Sequence, residues 1–144
     1  MMENIFSQYS LTMPASYQDR IKEYVSTGTS NQSRENAPFN RQIDFWYLAL
    51  CLAFKKGLTG AKEKNTYTFI TGEILSRDSF RISQIQMIAL ATTNNTEILG
   101  SPREMLDIAV NLANEGIPLL LSILDDTDSS PLQNVFDELE DVCD

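Results

Sequence analysis

The residue types that most often carry catalysis are scarce in this sequence, and only carboxylates are numerous. The chain has 144 residues, with 20 Asp and Glu, two Cys and no His. Without imidazole, the commonest general base and the commonest metal ligand are both missing, which excludes Ser-His and Cys-His nucleophile pairs and His-ligated zinc sites. A site built only from carboxylates stays compatible with the sequence, because magnesium accepts oxygen ligands alone.

Glu73 and Asp78 are the carboxylates best placed for chemistry, since they flank a predicted turn next to Arg77 and Arg81. A catalytic interpretation makes them an acid-base pair or a metal pair. The alternative, a helix N-cap and a surface ion pair, is favoured because no established catalytic motif accompanies them. We therefore predict that the chain is not an enzyme and needs no cofactor and no metal.

An aromatic cluster and the lysines around residues 57–66 are the other candidates for ligand chemistry. The cluster could stack nucleic-acid bases, but core packing is favoured; it consists of Phe39, Phe45, Trp46, Tyr47 and Phe54. The segment GLTGAKEKNT combines glycine with lysine, but its spacing does not match a phosphate-binding loop. The lysines favour a solvated face over a phosphate site; they are Lys55, Lys56, Lys62 and Lys64. We do not expect direct binding of nucleic acid.

Charge is strongly polarised along the chain. Residues 1–103 hold all 11 basic residues and nine of the acidic ones, a net charge of +2, whereas residues 104–144 hold 11 acidic residues and no basic one. One interpretation of residues 125–144 is a solvated, partly disordered tail. The other is an amphipathic acidic helix that docks on a basic partner; its candidate partner-binding residues are Phe136, Glu138, Leu139 and Asp141.

The hydrophobic pattern predicts an all-α fold of five or six helices with at most one short β element. Residues 1–124 are expected to form one helical domain with a mobile linker near 26–38, followed by the acidic segment 125–144. Residues 67–75 fit a strand or a short helix equally well. Helices are predicted over 14–26, 40–56, 79–93, 102–115 and 117–124, with a last one from Pro131. Gly116 is expected to end the fourth helix, and Ile117-Pro118 to begin the fifth.

Residues 40–56 form the strongest predicted element. Trp46 and Leu50 mark a core face together with Phe54, yet the remaining faces of this helix are apolar too. Such a helix is either central to its domain or partly covered by another chain, so Trp46 and Tyr47 are also candidate partner-binding residues. Met87 is assigned to the core side of the helix over 79–93.

Targeting signals are not apparent. The first residues lack a basic region and a continuous apolar run, and the longest apolar stretch, 43–54, is shorter than a membrane span requires. We therefore expect a cytoplasmic protein without a membrane segment.

Four segments together resemble a known family. They are PASYQDRIKEYV, PFNRQIDFWYLALCLAFKKGL, FRISQIQMIALATTNNTEIL and REMLDIAVNLANEGIPLLLSIL, which span residues 14–124. In apolar pattern, order and spacing they are similar to Dnd system-associated protein 4, a group of small helical proteins associated with bacterial DNA phosphorothioation clusters.

The resemblance implies a non-catalytic accessory or adaptor subunit in bacterial anti-phage defence, which binds a larger defence-complex subunit, itself, or both. It supplies no catalytic residues. The alternative is an acidic inhibitor that imitates DNA, because helix carboxylates can approach the charge density of a duplex.

Overall fold

Six helices and a two-stranded antiparallel sheet make up the part of the chain that the computed structural model describes, residues 5–26, 35–75 and 77–143. The prediction of a mainly helical fold is confirmed, but a strictly all-α class is wrong because two strands pair. In chain order the elements are β1 (Ser10–Pro14), α1 (Gln18–Glu23), α2 (Gln42–Lys55), β2 (Thr66–Thr71), α3 (Gly72–Leu75), α4 (Ser79–Thr93), α5 (Pro102–Asp125) and α6 (Pro131–Cys143).

The sheet joins two segments that lie far apart in the sequence. β1 runs antiparallel to β2, with Ser10 opposite Thr71 and Pro14 opposite Thr66. Pro14 was expected to open a helix but ends the strand instead, where its missing N–H costs little. The helix predicted over 14–26 is accordingly shorter, a 3-10 turn followed by α1. The ambiguous segment 67–75 divides into β2 and α3.

α2 and α5 form the centre of the core. Trp46 and Leu50 on α2 are fully buried, which confirms the prediction that this helix is central. α2 ends where its sequence indicates, because Gly57 follows it with a φ of +70°, a conformation that glycine adopts without strain.

α5 is one unbroken helix, so the predicted interruption near Gly116 and Pro118 is wrong. Gly116 lies against α2 so closely that an added Cβ would be 2.0 Å from the carbonyl oxygen of Ala49. Glycine is therefore required for the close approach of the two helices and does not end α5. Packing on α2 also outweighs the missing N–H of Pro118, as tertiary contacts commonly override local propensity.

Because α5 is continuous, its length has to be compared again with that of a membrane-spanning helix. With 24 residues and a mean hydropathy of 1.3 over its most apolar window, α5 is long and apolar enough to cross a membrane by length and composition. The sequence alone did not indicate an apolar helix of this length, because the helix was predicted to end at Gly116. Half of that window is buried within the fold, and a core helix of a soluble protein passes the same test.

α6 packs on the body of the fold. Val135 and Leu139 meet Leu48 and Leu52 of α2, and the Nδ2 of Asn134 donates to the backbone oxygen of Asp126 at 2.8 Å. The Nζ of Lys56 lies 3.1 Å from an oxygen of Glu138, and the backbone N–H of Leu132 donates to the oxygen of Glu35. Leu120 and Ile123 of α5 complete this contact.

Two further contacts join the start of the chain to the end of α5. The side chains of Arg20 and Tyr24 both bond to the carboxylate of Asp125. Val25 also forms an isolated bridge with Phe39, which brings together the two sides of the predicted linker. Residues 27–34, most of the linker predicted to be mobile, lie outside the described part of the chain.

Gly116→Ala tests the close approach of α2 and α5. We expect it to lower the free energy of unfolding by about 3 kcal/mol, because the methyl group would overlap the backbone of α2. Gly100→Ala is the matched control, since nothing lies within 4 Å of its Cβ position, and it should change stability by less than about 0.5 kcal/mol. Equal effects in urea denaturation would contradict the packing described.

Trp46 provides a second test of the core. Its ring lies 6.1 Å from that of Phe69 on β2, and its indole nitrogen has no hydrogen-bond partner among the described residues. We expect Trp46→Ala to cost about 3–5 kcal/mol through the cavity it leaves. Trp46→Phe should cost much less than Trp46→Ala, because phenylalanine keeps most of the packing and removes an unpaired N–H. Denaturant titration of both variants measures the difference.

Candidate interaction surface

The six predicted partner-binding residues do not form one patch. Trp46 is fully buried and so belongs to the core. Tyr47 is half-buried beside α4, and Leu139 is half-buried on the side of α6 that faces α2. Phe136 is 52% exposed, and Glu138 is paired with a lysine of the body. The side chain of the sixth, Asp141, lies outside the described part of the structure.

Tyr47 belongs to a polar cluster between α2 and α4. The guanidinium of Arg81 lies 4.7 Å from the centre of the Tyr47 ring, 2.5 Å from an oxygen of Asp44 and 3.0 Å from an oxygen of Asp78. Burial raises the pKa of the Tyr47 phenol, and its bond to Cys51 adds to the effect. Arg81 thus joins the two helices through contacts within the chain.

Asp78 has the structural role that the sequence analysis favoured over catalysis. It caps α4, where its carboxylate accepts from the backbone N–H of Arg81 at 3.4 Å, and it also binds the Arg81 side chain. Across the described residues, no group of three or more Cys, Asp or Glu side chains is arranged to hold a metal ion.

An apolar groove runs over the outer side of α2. Its deepest part is a cavity of about 290 Å³ lined by residues of α2, α4 and α6. Cys51 lies at its floor, half-buried, and burial raises the pKa of the Cys51 thiol above its usual value. We call this surface the α2–α6 groove; its lining residues are Leu48, Cys51, Leu52, Phe54, Lys55, Ile88 and Leu139.

A second cavity of about 300 Å³ adjoins the groove on the side of α4. Phe54 and Met87 line it and are 39% and 67% exposed, so the prediction that both face the core is wrong. Ala91 is exposed at the surface as well. Phe80, the second residue of α4, is 65% exposed.

The two walls of this surface differ in charge. On the α6 side, Asp137 and Glu140 are exposed and Glu138 is partly exposed. On the α4 side there is no acidic residue between Ser79 and Thr93. The groove is therefore lined by apolar side chains and Lys55, with carboxylates on its α6 side and none on its α4 side.

The sequence contained a signal for this surface, because α2 was recognised as apolar on nearly every side. The sequence did not indicate which face of α2 other helices cover. α6 covers Leu48 and Leu52 and reaches Lys56 just after α2, whereas Phe54, which lines the cavity on the side of α4, stays 39% exposed.

Comparison of the chain with protein-family models, with curated proteins and with solved structures finds no match in any of the three.

Asp78 variants separate its two contributions to stability. Asp78→Ala should lower the free energy of unfolding by roughly 1–2 kcal/mol, because it removes both the N-cap and the ion pair. Asp78→Asn keeps a capping oxygen and should cost less than about 1 kcal/mol. If thermal denaturation shows equal losses for both variants, the capping role assigned to Asp78 is incorrect.

Proposed function

We propose that this protein is a non-catalytic adaptor subunit that acts by binding another protein through the α2–α6 groove. The observation that carries this proposal is the groove itself, an apolar surface formed by three helices and left open by the described chain. Exposed apolar surfaces of this kind typically mark sites of protein association, since exposing them to water is unfavourable.

The cellular context of the proposal comes from the resemblance of residues 14–124 to proteins of DNA phosphorothioation clusters. On that basis we propose that the partner is a larger subunit of a bacterial anti-phage defence complex and that the protein acts in the cytoplasm. The acidic edge formed by Asp137 and Glu140 favours a partner segment that carries basic residues beside its apolar ones.

A DNA-imitating inhibitor is the alternative, and the arrangement of charge favours it less. Such an inhibitor needs a free array of carboxylates, yet Asp125 bonds to Arg20 and Glu138 bonds to Lys56 of the same chain. Replacing Asp137 and Glu140 by Asn and Gln distinguishes the two functions without removing α6. An inhibitor of this class should lose its activity, whereas the adaptor should retain its partner with reduced affinity.

Phe136→Gln and Leu99→Gln form a matched pair for testing the groove. Both side chains are about half exposed, but only Phe136 belongs to α6 beside the groove. In affinity capture from cells that encode the protein, we expect wild type and Leu99→Gln to retain a defence-complex subunit. We expect Phe136→Gln to reduce its recovery about tenfold, the effect of losing roughly 1.4 kcal/mol of binding energy.

Chemical modification of Cys51 provides a second measurement of partner binding at the α2–α6 groove. In a Cys143→Ser background, a bound partner should slow modification of Cys51 by a thiol reagent, because Cys51 lies at the floor of the groove. The raised pKa of this thiol means that labelling is best followed above pH 8. A captured partner that leaves Cys51 labelling unchanged would place its binding site elsewhere.

A further inference from the structure

α4 is apolar on two opposite sides, although only one side packs against the body of the fold. The inner side is formed by buried residues, Ile82, Ile85, Ile88 and Ala89. The outer side presents Phe80, Gln84, Met87 and Ala91, which follow one another at spacings of four, three and four residues. This spacing places the four side chains in one line along the helix and is typical of a helix-helix seam.

The charge of α4 distinguishes it from every other helix of the described chain. The protein has a net charge of −9, and its excess of acidic residues lies in 104–144, so two copies repel each other most strongly where this acidic part of one meets that of the other. α4 is the one described helix without an acidic residue, and its single basic residue, Arg81, is bound by Asp44 and Asp78. Its outer side is therefore the helical surface on which a second copy meets the least repulsion.

We propose that the outer side of α4 binds the same side of α4 in a second copy, with the two helices antiparallel about a two-fold axis. In this arrangement Phe80 of each copy faces Ala91 of the other, and Gln84 faces Met87. Each large side chain thus meets a smaller or more flexible one, as interdigitating layers require. A parallel arrangement would instead place Phe80 against Phe80 and Ala91 against Ala91.

The cavity beside Ala91 supports the antiparallel orientation. It measures about 300 Å³, is lined by Phe54, Gln84, Met87, Ile88 and Ala91, and is open to solvent. Phe80 of the second copy, placed over Ala91, lies at its mouth and can enter it. Each copy then buries an aromatic side chain that is 65% exposed in the single chain, which supplies the central anchor that protein interfaces commonly have.

The size of the seam determines how strong the dimer is. Its main apolar contributors are Phe54, Phe80 and Met87, each used twice by symmetry. A single pair of helices with these side chains lies at the low end of specific interfaces, about 1,200 Å² of total buried surface or less. We therefore expect a reversible dimer that dissociates at micromolar concentrations, and one that high salt does not weaken, because the contact is apolar.

The proposal deepens the adaptor function by making the adaptor bivalent. The α4 seam shares Phe54 and Ile88 with the α2–α6 groove, so each copy binds its partner through the α6 side of the groove, where Phe136, Leu139 and the acidic edge lie outside the seam. The two proposals can fail separately, because self-association is measured on the purified full-length protein and partner capture is measured from cells.

Sedimentation velocity of the purified protein, from about 1 µM to about 1 mM, tests the seam. We expect wild type to shift from monomer to dimer over this range and Met87→Glu to weaken the dimer at least tenfold. Leu99→Glu, an equivalent change at a side chain that is 42% exposed and lies outside the seam, should dimerise about as wild type does after correction for charge. Circular dichroism establishes that all variants are folded. A wild type that is monomeric at every concentration, or a Met87→Glu variant that dimerises normally, would overturn the proposal.

Two double variants test the orientation. In the antiparallel seam, Gln84→Lys with Met87→Glu places lysine opposite glutamate twice, so this variant should still dimerise and should do so more weakly at high salt. Gln84→Glu with Met87→Glu places like charges opposite each other and should be monomeric. A parallel seam predicts that both variants are monomeric, and that result would overturn the antiparallel arrangement. If Met87→Glu is monomeric and still captures the cellular partner, the adaptor function is independent of the dimer.

Discussion

The crossing of α2 over α5 is the contact on which the other elements depend. At Gly116 the backbone of α5 lies directly against the carbonyl of Ala49, which only a residue without a side chain permits. This closeness brings the full apolar stripes of both helices into contact and buries Trp46 and Leu50 completely. It also keeps α5 helical through Pro118, because the packing gained along α5 exceeds the local cost of a proline.

The unbroken α5 also determines where the acidic end of the chain lies. α5 ends at Asp125, within reach of Arg20 and Tyr24, and the turn after it returns α6 to the side of α2. Glu138 then meets Lys56 at the end of α2. Two carboxylates of the strongly negative segment are thus paired with bases of the slightly positive body, and the segment packs as a helix through Val135 and Leu139 rather than standing apart.

Features that depend on neighbouring residues could be predicted from the sequence more reliably than features that depend on residues far apart in the chain. Several helix ends set by local chemistry were predicted correctly: Asp78 caps α4, Asn94 follows its last residue in the left-handed conformation, and Pro102 begins α5, although Ser101 before it makes no side-chain capping bond. The helix was wrongly predicted to end at Gly116, because glycine is common both at helix ends and where two helices approach closely. The residue of α2 that it contacts, which distinguishes the two roles, lies far away in the sequence. β1 was missed for the same reason, since its pairing strand begins at Thr66.

The position of the candidate surface could not be predicted from the sequence, because it depends on which element covers each apolar face. α2 and α4 both carry more apolar residues than one buried stripe requires, and periodicity alone assigns Met87 to the core as readily as to the surface. Only the packed structure shows that α6 covers the middle of α2 and leaves Phe54 and the outer side of α4 open. The acidic helix α6 covers one of these apolar faces within the chain. The face that is left uncovered lies on α4, which has no carboxylate, so repulsion between copies is weakest there. We infer that the distribution of charge determines which apolar surface is available to a second copy and which is protected within the chain.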